Sequence, residues 1–178
     1  KSSSKKYGSG FRKMSELWRQ LVANADPALS ELIKLARVQI SKSTGAMIIV
    51  LNAARILSRK EFKVLENAFA GAFPSVRVTV AVQYPAMREA VEKDIRLAMG
   101  LLSELVAHES PASMPFLEWD HAEWKLENGK LTVCVSSADG AAFLKGRTVD
   151  KLLEELLLRL FGISATAQIK VTGEDDKK

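Results

Sequence analysis

Residues 122–136 read AEWKLENGKLTVCVS, and this stretch decides the fold. Asn-Gly is a strong tight-turn signal, because both residues tolerate the left-handed backbone that a short hairpin connection needs. The spacing predicts one strand over Ala122–Leu126 and a second over Lys130–Ser136, joined at Glu127-Asn128-Gly129. Leu131, Val133 and Val135 then face one way, and Thr132, Cys134 and Ser136 the other. Trp124 alternates with Leu126 and reads as core. Cys134 is the single cysteine, so the chain forms no intrachain disulfide. Its place in the strand reads as a buried thiol, in keeping with a reducing, cytoplasmic setting.

Working outward, Asp139 begins a short helix through Leu144. Thr148 caps a longer one carrying Leu152, Leu153, Leu156, Leu157, Leu160 and Phe161, and Gly162 stops it. Ala165, Ala167, Ile169 and Val171 give a final strand. Upstream, a long helix is predicted from Pro85 to about Ala107, with Met87, Val91, Ile95, Ala98, Met99, Leu102 and Leu105 or Val106 as its stripe. A short helix holds Phe116 and Leu117. The order α-β-β-α-α-β is that of a type II KH domain.

The first half echoes this order. Ser15 reads as an N-cap for a helix bearing Leu17, Trp18, Leu21 and Val22, and Asp26-Pro27 opens a second short helix. Strands follow at Ala36–Lys42 and Ala46–Asn52 around Ser43-Thr44-Gly45. Ser58-Arg59-Lys60-Glu61 is a capping-box pattern, heading a helix with Phe62, Leu65, Ala68 and Phe69 on one face. Val76, Val78, Val80 and Val82 alternate with Arg77, Thr79 and Ala81 as a half-buried strand. The expectation is an α+β chain of two small two-layer units, each a three-stranded sheet plus helices. The divisions are a flexible basic leader at 1–13, a first unit at 14–84, a KH-like unit at 85–172 and the start of a charged linker at 173–178.

The 178 residues carry a formal charge of +5. Lys1, Lys5, Lys6, Arg12 and Lys13 account for it: residues 15–178 hold 21 basic and 21 acidic side chains. A neutral body argues against a broad phosphate-binding surface. No apolar run reaches the roughly 18 residues needed to span a bilayer. The two histidines, His108 and His121, lack metal-ligand spacing, and no P-loop, G-x-S-x-G or G-x-G-x-x-G pattern occurs. Asp150, Glu154 and Glu155 read as a solvated helix face. No catalytic, cofactor-binding or metal-binding residue is therefore expected. KH domains clamp nucleic acid through a G-x-x-G loop between two helices. Here that junction is Phe143-Leu144-Lys145-Gly146-Arg147-Thr148, with one glycine and two bases. Lys145 and Arg147, together with Trp119 beside the short helix, are the candidate interaction residues.

The ordered segments resemble a known family. LARVQISKSTGAMIIVLNAARILSRKEFKVLENAFAGAFPSVRVTVAV at 35–82 and EWKLENGKLTVCVSSADGAAFLKGRTVDKLLEELLLRLFGI at 123–163 are similar to the N-terminal region of the PolC-type DNA polymerase III alpha subunit. That is the replicative polymerase of low-GC Gram-positive bacteria, and the resemblance covers roughly 14–172. It implies a non-catalytic fragment of a DNA-directed DNA polymerase whose polymerase and 3'-5' exonuclease centres lie in other domains. The order of the second unit also resembles the C-terminal domain of the clamp-loader tau subunit. The resemblance thus implies a protein-interaction module that tethers the polymerase within the replisome, with tau as a partner. The alternative is a KH-like single-stranded nucleic-acid-binding domain.

Overall fold

The computed structural model describes residues 16–117 and 122–172. Trp119, His121, the leader, the Ser15 cap and the terminal 173–178 segment lie outside the described residues. The chain divides into two compact units, one ending at Pro85 and the other beginning at Ala86. Each is α+β and holds a three-stranded sheet with helices.

In the first unit, helix α1 covers 16–25 and α2 Pro27–Leu32. The Asp26 carboxylate caps α2 by accepting from the Ala28 amide at 3.0 Å. Strands β1 (Ile33–Ile40) and β2 (Met47–Ala53) pair antiparallel, and β3 (Val78–Gln83) lies parallel to β2. Helix α3 (Arg59–Ala72) is the crossover that a parallel pair requires. Its capping box forms as the sequence predicts: Ser58 Oγ accepts from the Glu61 amide at 3.1 Å, and Glu61 Oε1 from the Ser58 amide at 3.0 Å. Trp18 packs its ring 4.3 Å from that of Phe69, so α1 is pinned to α3 through two fully buried rings. β1 begins three residues earlier than the predicted strand and bulges between Leu35 and Arg37. The strand expected from Val76 starts at Val78.

In the second unit, β4 (Ala122–Glu127) and β5 (Lys130–Val135) form the predicted hairpin, and β6 (Thr166–Val171) runs parallel to β5. Asn128 and Gly129 take φ of 51° and 72°, the left-handed pair the sequence requires. Leu131 and Val133 are fully buried and Trp124 is core. Cys134 corrects the expectation of a buried thiol: it sits half-buried on the opposite face of the sheet.

The helix predicted over Pro85–Ala107 is broken. A 3-10 turn at Pro85–Met87 leads into α4 (Arg88–Lys93), then α5 (Arg96–Glu109) restarts. Asp94 breaks it, with extended backbone and a carboxylate that accepts from the Arg96 amide at 3.1 Å. That local bond competes with helix continuation. Most of the predicted stripe survives the break: Val91, Ile95, Ala98, Met99 and Leu102 are buried, whereas Met87 in the leading turn is half-buried. Helix α6 (Met114–Leu117) precedes the hairpin, and α7 (Ala138–Gly146) and α8 (Val149–Phe161) lie between β5 and β6. Ser137, ahead of the predicted Asp139, caps α7 through the Gly140 amide at 2.9 Å.

Candidate interaction surfaces

Lys145 and Arg147 lie where the sequence puts them, exposed at the α7–α8 junction. The junction is a tight turn. Arg147 and Thr148 alone separate the two helices. The Arg147 amide donates to the Phe143 carbonyl at 3.0 Å and the Thr148 amide to the Lys145 carbonyl at 3.0 Å, which spends two donors internally. Thr148 takes the left-handed region, φ 54° and ψ 35°. Its side chain does not cap α8, contrary to expectation; its hydroxyl turns to the Arg147 carbonyl at 2.7 Å.

The corner has an aromatic wall. The Arg147 guanidinium lies 5.3 Å from the centre of the Phe143 ring, within cation-π range. Phe143 in turn meets Phe116 of α6 with ring centres 5.5 Å apart. Both rings are half-buried, and Met114, two residues before Phe116 in the same helix, is exposed. Phe116 is 27 positions from Phe143 in sequence, so only the fold brings them together.

Charge is distributed unevenly. Residues 16–85 carry nine basic and five acidic side chains, whereas 86–172 carry ten basic and thirteen acidic. The neutral body is thus a basic unit joined to an acidic one. Lys145 and Arg147 belong to the acidic unit, a poor setting for phosphate.

Several other titratable groups serve structure. Glu61 is held well below its ordinary value, at about 2. The cause is foremost its two hydrogen bonds from Arg55, at 2.9 and 2.7 Å, and then the Ser58 amide. Arg96 lowers Asp94 through a side-chain hydrogen bond. Burial pushes the Tyr84 phenol up, and its oxygen receives the Leu57 amide at 3.4 Å. Glu154 departs from the solvated face predicted for it: Oε1 accepts from the Ala167 amide at 2.9 Å and ties α8 to β6. His108 is exposed. Beside the hairpin turn lies a groove of about 480 Å³ lined by Arg88, Glu89, Glu92, Lys93 and Asn128 among others. Its charges are of both signs, and Arg88 and Glu92 pair at 3.0 Å. Among the described residues no group of three or more His, Cys, Asp or Glu side chains could hold a metal ion. No described helix is long and apolar enough to cross a membrane. Compared with known proteins, the chain matches no family model and no curated sequence.

Proposed function

We propose that this chain is a non-catalytic protein-docking module at the N-terminal end of a PolC-type DNA polymerase III. In this reading it tethers the polymerase within the replisome, with the clamp-loader tau subunit as partner. The α7–α8 corner carries the preference for docking over nucleic-acid binding. A KH-type clamp needs a loop whose backbone and bases meet the phosphates. Here the connection is a two-residue turn with its amides committed, and Arg147 rests on Phe143. What the corner offers instead is two half-buried rings, an exposed Met114 and two cations, a composition suited to a protein interface.

The test is a titration of the whole chain at physiological salt against purified tau and, separately, single-stranded DNA. Binding to tau alone supports the module. Binding to DNA alone, abolished by Lys145→Glu with Arg147→Glu, would replace it with the KH-like alternative.

A further inference from the structure

Strand β1 is the least covered apolar strand of the first unit. Only Ile33 at its start is buried; Leu35 and Val38 are half-buried and Ile40 is 63% exposed. The neighbouring β2 has five of its seven residues buried. β1 is terminal in the order β1-β2-β3, so one of its backbone edges has no partner strand in the sheet. Such edges are templates for another strand.

The charge at this edge has one sign. No acidic residue occurs between Glu31 and Glu61, nor anywhere in the three strands of this sheet. Register places Lys34 opposite Asn52, Arg37 opposite Val50 and Gln39 opposite Ile48, so all three share the face opposite Ile49 and Leu51. Lys34, Arg37 and Lys42 are exposed, and none takes part in an ion pair among the described residues. Past the bulge at Ala36, Arg37–Ile40 runs in regular register. There the strand presents Arg37 and Gln39 on one side and Val38 and Ile40 on the other.

We propose that β1 is a docking edge for an extended acidic peptide, which adds to Arg37–Ile40 as a fourth strand. Its carboxylates meet Lys34 and Arg37 on one face, and its alternate apolar side chains cover Val38 and Ile40 on the other. Strand addition draws affinity from the backbone and specificity from alternate side chains. A second copy of β1 is a poor occupant, because antiparallel pairing would set Lys34 and Arg37 against their own counterparts. A nucleic acid would complement the cations but would leave Val38 and Ile40 uncovered, and β1–β3 offer no aromatic ring for a base to stack on. The inference rests on the docking reading and names the chemistry of the partner.

The experiment titrates the whole chain with a short fluorescent peptide of alternating Glu and Val, its Lys-for-Glu counterpart, and oligothymidylate. Anisotropy gives affinity, and amide chemical shifts locate binding. The acidic peptide should bind and move the amides of 34–40, and its lysine counterpart should not. Lys34→Glu with Arg37→Glu should weaken binding at least ~10-fold, and Ile40→Ser should weaken it while preserving the circular dichroism spectrum. Shifts confined to other elements, no acidic-peptide binding, or oligothymidylate binding at 34–40 in its place would each overturn the proposal. If tau binds the wild type and the Lys34→Glu, Arg37→Glu variant equally, docking stands and this edge is wrong. If the peptide binds and tau does not, the edge stands and the tau tether fails.

Discussion

The ring of Phe116 occupies the place that a β-carbon on Gly140 would take: Cδ1 would lie 2.7 Å from it, and Ser137 Oγ 2.9 Å. The glycine is therefore what allows α6 to lie against α7 and bring Phe116 to Phe143. The aromatic wall of the candidate corner depends on one missing methyl group.

Gly140→Ala should destabilise the protein despite the better helix propensity of alanine. Overpacking of this kind costs about 1–3 kcal/mol, against a propensity gain of about 1 kcal/mol. Gly100→Ala in α5 is the internal control, because nothing lies within 4 Å of its added carbon. It should stabilise by up to about 1 kcal/mol. Thermal or urea unfolding of the two variants checks both signs; a stabilised Gly140→Ala protein would contradict the packing described.

Acid should unfasten the start of α3. The Glu61 carboxyl is depressed to about 2 in the folded protein, so its contribution is full above the ordinary glutamate range. It is lost as pH falls from about 4.5 towards 2. Glu61→Gln keeps an oxygen for the Ser58 amide but removes the charge facing Arg55. With Arg55 solvent-exposed, the loss near neutrality should be about 1 kcal/mol. The difference between wild type and variant should shrink steadily below pH 4.5, measured by urea unfolding across that range. A constant difference down to about pH 2 would contradict it.

Most signals confined to a few consecutive residues were legible in the sequence, the Thr148 cap being an exception. The Asn128-Gly129 turn, the Ser58–Glu61 box and the Asp26-Pro27 start each depend on bonds within one turn, and each forms. The Asp94 break was hidden because Val91, Ile95 and Ala98 keep the helical period across it. Glu154 reads as an exposed acid until β6 brings the Ala167 amide to it. At the candidate corner, Lys145 and Arg147 were placed correctly by the helix–helix junction. Their aromatic neighbour Phe116 depends on tertiary packing that no local pattern encodes. β1 was misjudged for a related reason: its bulge disturbs the alternation of Leu35, Val38 and Ile40, so neither its start nor its thin covering shows in the pattern.

The hairpin turn should be intolerant of a branched residue. Gly129 has φ 72°, and its carbonyl accepts from the Thr166 amide at 2.9 Å, so the turn also anchors the start of β6. Gly129→Val should cost about 1–2 kcal/mol through left-handed strain alone. Asn128→Gly, which keeps the permitted backbone, should stay within about 0.5 kcal/mol of wild type. Hydrogen exchange at the Thr166 amide should quicken in the first variant and not in the second.

Thr148 stores strain at the α7–α8 junction. A β-branched residue at φ 54° is disfavoured, and here no capping bond offsets it, because the hydroxyl reaches only the adjacent Arg147 carbonyl. Its backbone carbonyl still opens α8 by accepting from the Leu152 amide at 3.1 Å, a bond any residue can make. Thr148→Gly should therefore raise stability by about 1 kcal/mol, or about 2–4 °C in the melting temperature for a chain of this size. Thr148→Val removes the hydroxyl and keeps the branching, so it should not stabilise. If Thr148→Gly instead lowers stability, the threonine hydroxyl or methyl makes a contact that outweighs the strain. Measured beside tau and single-stranded DNA binding, the glycine variant also separates strain from function. A gain in stability with a fall in tau affinity would assign the bent junction itself to the interface, and unchanged affinity would place the contact elsewhere.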